Sequence, residues 1–145
     1  MKFFYLLLAS RKNELERDLS VWNQKITRSL ATFLGRVLPT IPNYSWKQNV
    51  VQYQSESNSR IIEQQGKDTF EALDLAMLLQ AFESNWTALS KKQSLKLEEK
   101  NIVKEMKAVR IRWAHVTGQV TPPEDEFRDF VTLLHFAQLI KTEDT

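Results

Sequence analysis

The chain has 145 residues, 42% of them hydrophobic, which suffices for one domain with a real core and is too little for several. The absence of cysteine excludes disulfides and thiolate metal sites and fits a reducing, cytoplasmic setting. A net charge of +2 excludes the broad positive field of a general nucleic-acid binder, so any such site must be local.

With only 3 glycines and 4 prolines, in a chain full of Leu, Lys, Glu and Gln, an all-α class is favoured over sheet. The first apolar run, Phe3-Phe4-Tyr5-Leu6-Leu7-Leu8, is too short to span a bilayer and lacks a cleavage region. It reads as a packed segment or the cut end of a larger protein, and no membrane partner is expected. Ser10 suits an N-cap. Leu15, Leu19, Trp22, Ile26, Leu30, Phe33 and Val37 then recur at steps of three and four, an amphipathic stripe that Pro39 ends.

Residues 39–66 read as a long connection with one or two short helical pieces. Val50, Val51, Tyr53, Ile61 and Ile62 are its apolar anchors, and Tyr44 and Trp46 tie it to the body. A second main helix is expected to open at Asp68 or Thr69 and run to about Leu89, apolar around much of its circumference and therefore the most buried. Asn85 and Trp86 fall near its end, either as core packing with one satisfied amide or as groups reaching a site. Residues 91–100 form a charged connection pinned by Leu95 and Leu97, with Lys91, Lys92, Lys96 and Lys100 interleaved with Glu98 and Glu99. Such mixed runs are solvated helix faces or a phosphate-attracting rim.

The third main helix carries Met106, Val109 and Trp113 on one face and Lys107, Arg110 and Arg112 beside it, with His115 at its end. An arginine and a histidine close to a buried seam need a partner or a ligand. Thr121, Pro122 and Glu124 form a capping box that starts a last helix, whose stripe is Phe127, Phe130, Val131, Leu134, Ala137 and Ile140. His135 beside it reads as a boundary residue without chemistry, and residues 141–145 as a polar tail. The whole reads as one domain over residues 1–145, complete or a piece of a larger protein. It is expected to be a four-helix up-down bundle with a long irregular connection between its first two main helices. Two histidines without cysteine predict no transition-metal site, and no phosphate-binding glycine loop is present, so no cofactor is expected.

Arg110 followed after four residues by His115, with Trp113-Ala114 before the histidine, resembles the signature of the HEPN superfamily in its Swt-type branch. The order of Leu73-Asp74-Leu75-Ala76, Asn85-Trp86, Leu95, Leu97 and Val103-Lys104-Glu105-Met106 is similar to that branch too, over about residues 71–140. Where the family has a polar residue after the arginine, this chain has Ile111.

The resemblance implies a bundle that pairs as a homodimer with both motifs facing one cleft. It further implies either a metal-independent endoribonuclease of a defence, toxin or RNA-quality system, or a non-catalytic dimerisation or protein-interaction domain. RNA would be the substrate, and a larger multidomain protein or an antitoxin a further partner. Arg110 and His115 would be the catalytic pair, with Arg112, Trp113, Asn85 and Lys107 binding RNA or supporting the site, and no metal. The chemistry is self-consistent: a 2′-hydroxyl attacks the adjacent phosphorus while an imidazole moves protons and a guanidinium holds phosphoryl oxygens. On a regular helix Arg110 and His115 lie about 140° and about 7.5 Å of rise apart, so they converge only if the helix frays or a second chain contributes. Without catalysis, Arg110 would bond carbonyls at the helix end and His115 would cap it.

Overall fold

The computed structural model describes the backbone of residues 12–114 and 123–140 and the side chains of residues 21–112 and 124–140. The Phe3–Leu8 run, the Ser10 cap, the side chains of Leu15 and Leu19, the Thr121-Pro122 part of the capping box and the polar tail lie outside the described residues. Every regular element among those described is helical, and none is long and apolar enough to cross a membrane.

Helix α1 spans Lys12–Val37 and passes into a 3-10 turn at Leu38–Thr40, where Pro39 cannot continue the bonding pattern. Ile26, Leu30, Phe33 and Val37 are buried, as their spacing requires, and Leu34 between them is fully enclosed. The connection holds α2 (Trp46–Asn49), a 3-10 turn (Val51–Tyr53) and α3 (Glu56–Gln64). Ser45 and Ser55 cap these two helices by accepting from Gln48 N and Asn58 N at 3.1 and 3.2 Å. Gly66, at φ 62°, takes the left-handed turn beyond α3 that a side chain would strain. Trp46 fastens the segment, as expected: its indole N–H donates to Lys67 O at 3.0 Å and its ring meets Phe70 edge-on at 5.1 Å. Of the expected anchors, Val50, Val51 and Ile62 are buried, whereas Tyr53 and Ile61 face solvent. In pieces this short only one side of each turn meets the core.

The second main helix differs from its expected span. Thr69 leads only into a 3-10 turn (Phe70–Ala72), and Leu73 is extended. Asp74 caps the true helix, accepting from Met77 N at 2.9 Å. The helix is then divided at Asn85 into α4 (Leu75–Ser84) and α5 (Trp86–Gln93). Asn85 stands at the division, where its amide donates to Ala81 O at 2.7 Å, sharing that carbonyl with its own backbone N–H, and to Asn49 O of α2 at 2.8 Å. α5 ends at Ser94 in the left-handed region, followed by a 3-10 turn at Leu97–Glu99. Leu95 packs against the core, but Leu97 is 78% exposed and pins nothing.

Helix α6 (Lys100–Ala114) packs between α4 and α7 (Pro123–Leu139), and α4 packs on α1. Phe82 on α4 is the common point of the core. It stacks on Phe33 of α1 at 5.4 Å and on Trp86 of α5 at 5.8 Å, and lies 6.1 Å from Phe136 of α7. The buried stripe of α7 is rotated from the expected one: Asp129, Thr132, Leu133, Phe136, Ala137 and Ile140 face inward, while Phe127, Phe130, Val131 and Leu134 are only half-buried. The expected stripe followed apolar residues alone, and here two polar residues occupy the inward face.

Candidate functional site

The site elements are α4, α6 and α7. Val103, Met106 and Val109 bury completely and fix the rotation of α6. That rotation turns Lys107 toward α4 and Arg112 toward α7, and leaves Arg110, half-buried, near the inward edge between them.

Arg112 is paired across the helices. Its Nε donates to Asp129 Oδ2 at 2.9 Å and its Nη2 to Asp129 Oδ1, a two-point grip on a carboxylate that is 4% exposed. The hydrogen bond to Asp129 raises the pKa of the guanidinium, against the opposing effect of its own burial. Arg112 therefore joins α6 to α7, and its charge is compensated by Asp129, which takes two of its five N–H groups.

Lys107 bridges to α4, donating to Gln80 Oε1 at 2.9 Å and pairing with Glu83 Oε2 at 3.3 Å. That Glu83 oxygen is shielded from water and makes no hydrogen bond, so the ammonium is what compensates its charge. Asn85 is likewise occupied: besides its two donations it accepts from Asn49 Nδ2 at 3.1 Å. It belongs to the packing of α2 on the α4–α5 break and is 6% exposed.

Arg110 stands apart from all of these, with no hydrogen bond or ion pair to any described residue. Two residues from an arginine paired with a buried carboxylate, it has a guanidinium bound by no described side chain. Ile111, beside it, is 53% exposed. His115 follows directly on the last described residue of α6, and its position, like the side chain of Trp113, lies outside the described residues. His135 is exposed on α7. Among the described residues no cluster of three or more histidine or carboxylate side chains is arranged to hold a metal ion. A shallow cavity of about 310 Å³ exists, but Trp46, Val51, Ile62, Lys67 and their neighbours line it and none of its lining residues belongs to α6.

Asp129 and Glu83 escaped the sequence reading. The signal for Asp129 was an acid falling between the apolar positions of α7, seventeen residues beyond Arg112. For Glu83 it was the one charge on a mostly apolar helix.

Comparison with known proteins agrees with this architecture. No curated protein and no solved structure matches the chain. A model of the Swt1-like HEPN family matches residues 24–141, from the middle of α1 to beyond the end of α7. That span covers most of the chain, takes in every helix that packs around Phe82, and extends well upstream of the stretch that carries the sequence resemblance. The chain belongs to the Swt1-like HEPN family.

Proposed function

We propose that this protein is a metal-independent endoribonuclease in which Arg110 and His115 act on the scissile phosphate. The observation that carries the reading is the contrast on α6. Arg112 is committed to Asp129, whereas Arg110, on the same last turns of α6, has no partner among the described residues. A half-buried guanidinium that no described side chain compensates is suited to compensation by a phosphoryl group. The 2′-hydroxyl attacks phosphorus as its proton passes to a base, the P–O5′ bond breaks, and the leaving oxygen takes up a proton. The products are a 2′,3′-cyclic phosphate and a free 5′-hydroxyl. His115 moves protons, and Arg110 stabilises charge on the non-bridging oxygens.

In this reading α1, α4, α6 and α7 are the four bundle helices, and two copies pair along α6 and α7 so that both motifs share a cleft. The protein works in the cytoplasm on RNA, in a defence, toxin or RNA-quality role, alone or with a larger or antitoxin partner. The exposure of Ile111 favours a second reading, a non-catalytic module whose apolar surface beside Arg110 docks on a second copy or another protein.

The deciding experiment incubates the purified chain with single-stranded and structured RNA in excess chelator. Cleavage to cyclic phosphate ends, abolished in both Arg110→Ala and His115→Ala and by deoxyribose at the cut position, is the expected result. Cleavage that requires magnesium, or that persists at full rate without His115, overturns the nuclease reading.

A further inference from the structure

The connection between α1 and α4 builds the shallow cavity of about 310 Å³, and its floor is apolar: Val51 and Ile62 are buried and Trp46 is half-buried. The floor is held in place. The bond from the Trp46 indole N–H to Lys67 O and the edge-on contact with Phe70 fix the ring, and with its one donor spent the indole has only ring surface left for a ligand. The left-handed turn at Gly66 and the bond from Lys67 N to Ile62 O at 2.9 Å then fold Lys67 back over the end of α3. Four charges stand around the floor, Lys47 and Lys67 of one sign and Glu63 and Asp68 of the other. None of the four makes a hydrogen bond or ion pair with a described residue, although both signs line the same cavity.

We propose that this cavity binds one nucleotide, with the base on the floor of Trp46, Val51 and Ile62, phosphate charge at Lys47 and Lys67, and the hydroxyl and amino donors of the sugar and base at Glu63 and Asp68. Every base has a flat face that an aromatic ring can stack. The count of charges selects this ligand. A phosphate monoester carries about −1.5 to −2 near neutral pH, which two ammonium groups offset. Neutral hydroxyl and amino groups then give the two carboxylates donors to accept from. An amino-acid zwitterion brings one charge of each sign, and would leave one lysine and one acid unmatched. Ligand sites run from about 300 to 1,000 Å³, so this cavity, at the lower end, has room for one such unit and no more. The nucleotide is either a free monophosphate or one unstacked unit of an RNA strand, whose two flanking phosphates supply the same charge. None of the lining residues lies on α6, so the site does not depend on the nuclease reading.

The test follows the Trp46 indole N–H resonance of the full chain, assigned by its loss in Trp46→Phe, during titration with the four ribonucleoside monophosphates, their nucleosides and a short single-stranded oligoribonucleotide. At least one monophosphate is expected to shift this resonance to saturation, and Lys47→Gln/Lys67→Gln to weaken its binding about tenfold or more. The nucleosides, which lack the phosphate, are expected to bind the wild type and that variant equally weakly. Lys91→Gln/Lys92→Gln, on α5, removes the same charge and is expected to bind as the wild type does. Tighter binding of the oligoribonucleotide than of any monophosphate assigns the site to RNA, and weaker binding assigns it to the free nucleotide. No saturable shift with any of these probes overturns the proposal, as does an equal loss in both lysine variants, or saturation by free tryptophan in place of nucleotides. The two readings fail separately. RNA cleavage without a response at Trp46 removes the pocket and leaves the nuclease, whereas nucleotide binding at Trp46 without cleavage does the reverse.

Discussion

Arg112 of α6 holds Asp129 of α7 at two points, with the carboxylate buried and the guanidinium partly in solvent. Breaking the pair from the arginine side strands a buried charge, so Arg112→Ala is expected to destabilise by about 2–3 kcal/mol, less than a fully enclosed pair because water reaches the guanidinium. Replacing both partners by apolar residues of similar volume recovers much of that loss. Chemical denaturation of the two variants checks this, and a loss below about 0.5 kcal/mol in Arg112→Ala shows that the pair contributes nothing.

Asn85 makes three hydrogen bonds where α4 breaks into α5. Asn85→Ala leaves the Asn49 carbonyl without this partner and is expected to cost about 1–3 kcal/mol. RNA affinity, corrected for the folded fraction, stays unchanged. A stable variant that binds RNA poorly shows instead that the amide serves the ligand.

Burial raises the pKa of the Tyr44 phenol. The unfolded chain then ionises first, so the stability tied to the neutral phenol is complete below the ordinary tyrosine range and falls as pH rises through it. Tyr44→Phe is expected to flatten that alkaline loss in a pH series of melting temperatures, and an unchanged slope refutes the assignment.

Ile111 is exposed, so Ile111→Asn is expected to leave stability within about 0.5 kcal/mol of wild type. By restoring the polar residue that usually follows the family's arginine, it should raise the turnover of RNA. A variant that turns over no faster, on a wild type that cleaves, separates this position from the chemistry.

Light scattering at tens of micromolar is expected to give twice the 17.0 kDa of one chain. A monomer at that concentration argues against a shared cleft.

Much of this was legible in the chain, and the failures share one cause. Periodicity found α1 because every inward position from Ile26 to Val37 is apolar, and it fixed the face of α6 through Met106 and Val109. It placed α7 in the wrong rotation because Asp129 and Thr132 face inward, and an apolar count cannot know that Arg112 will arrive to pair with one of them. The same blindness hid the break at Asn85, where a side chain competes with the helix for a carbonyl. For the site, spacing singled out Arg110 and Arg112 together. Only the packed structure separates them, because which arginine is free depends on an acid from another helix.

The position of Phe82 also bears on how the chain reaches its folded form. Its ring partners come from Phe33 near the beginning, Trp86 beside it and Phe136 near the end, so the centre of the core draws on almost the whole length of chain. Nearby helices can flicker into being early, but the contact that locks them together waits for the last helix to arrive. During synthesis α1, α4 and α6 can pack on one another, but the apolar surface that α7 covers stays open until that helix follows, a period in which the nascent chain is exposed to chaperones and to aggregation.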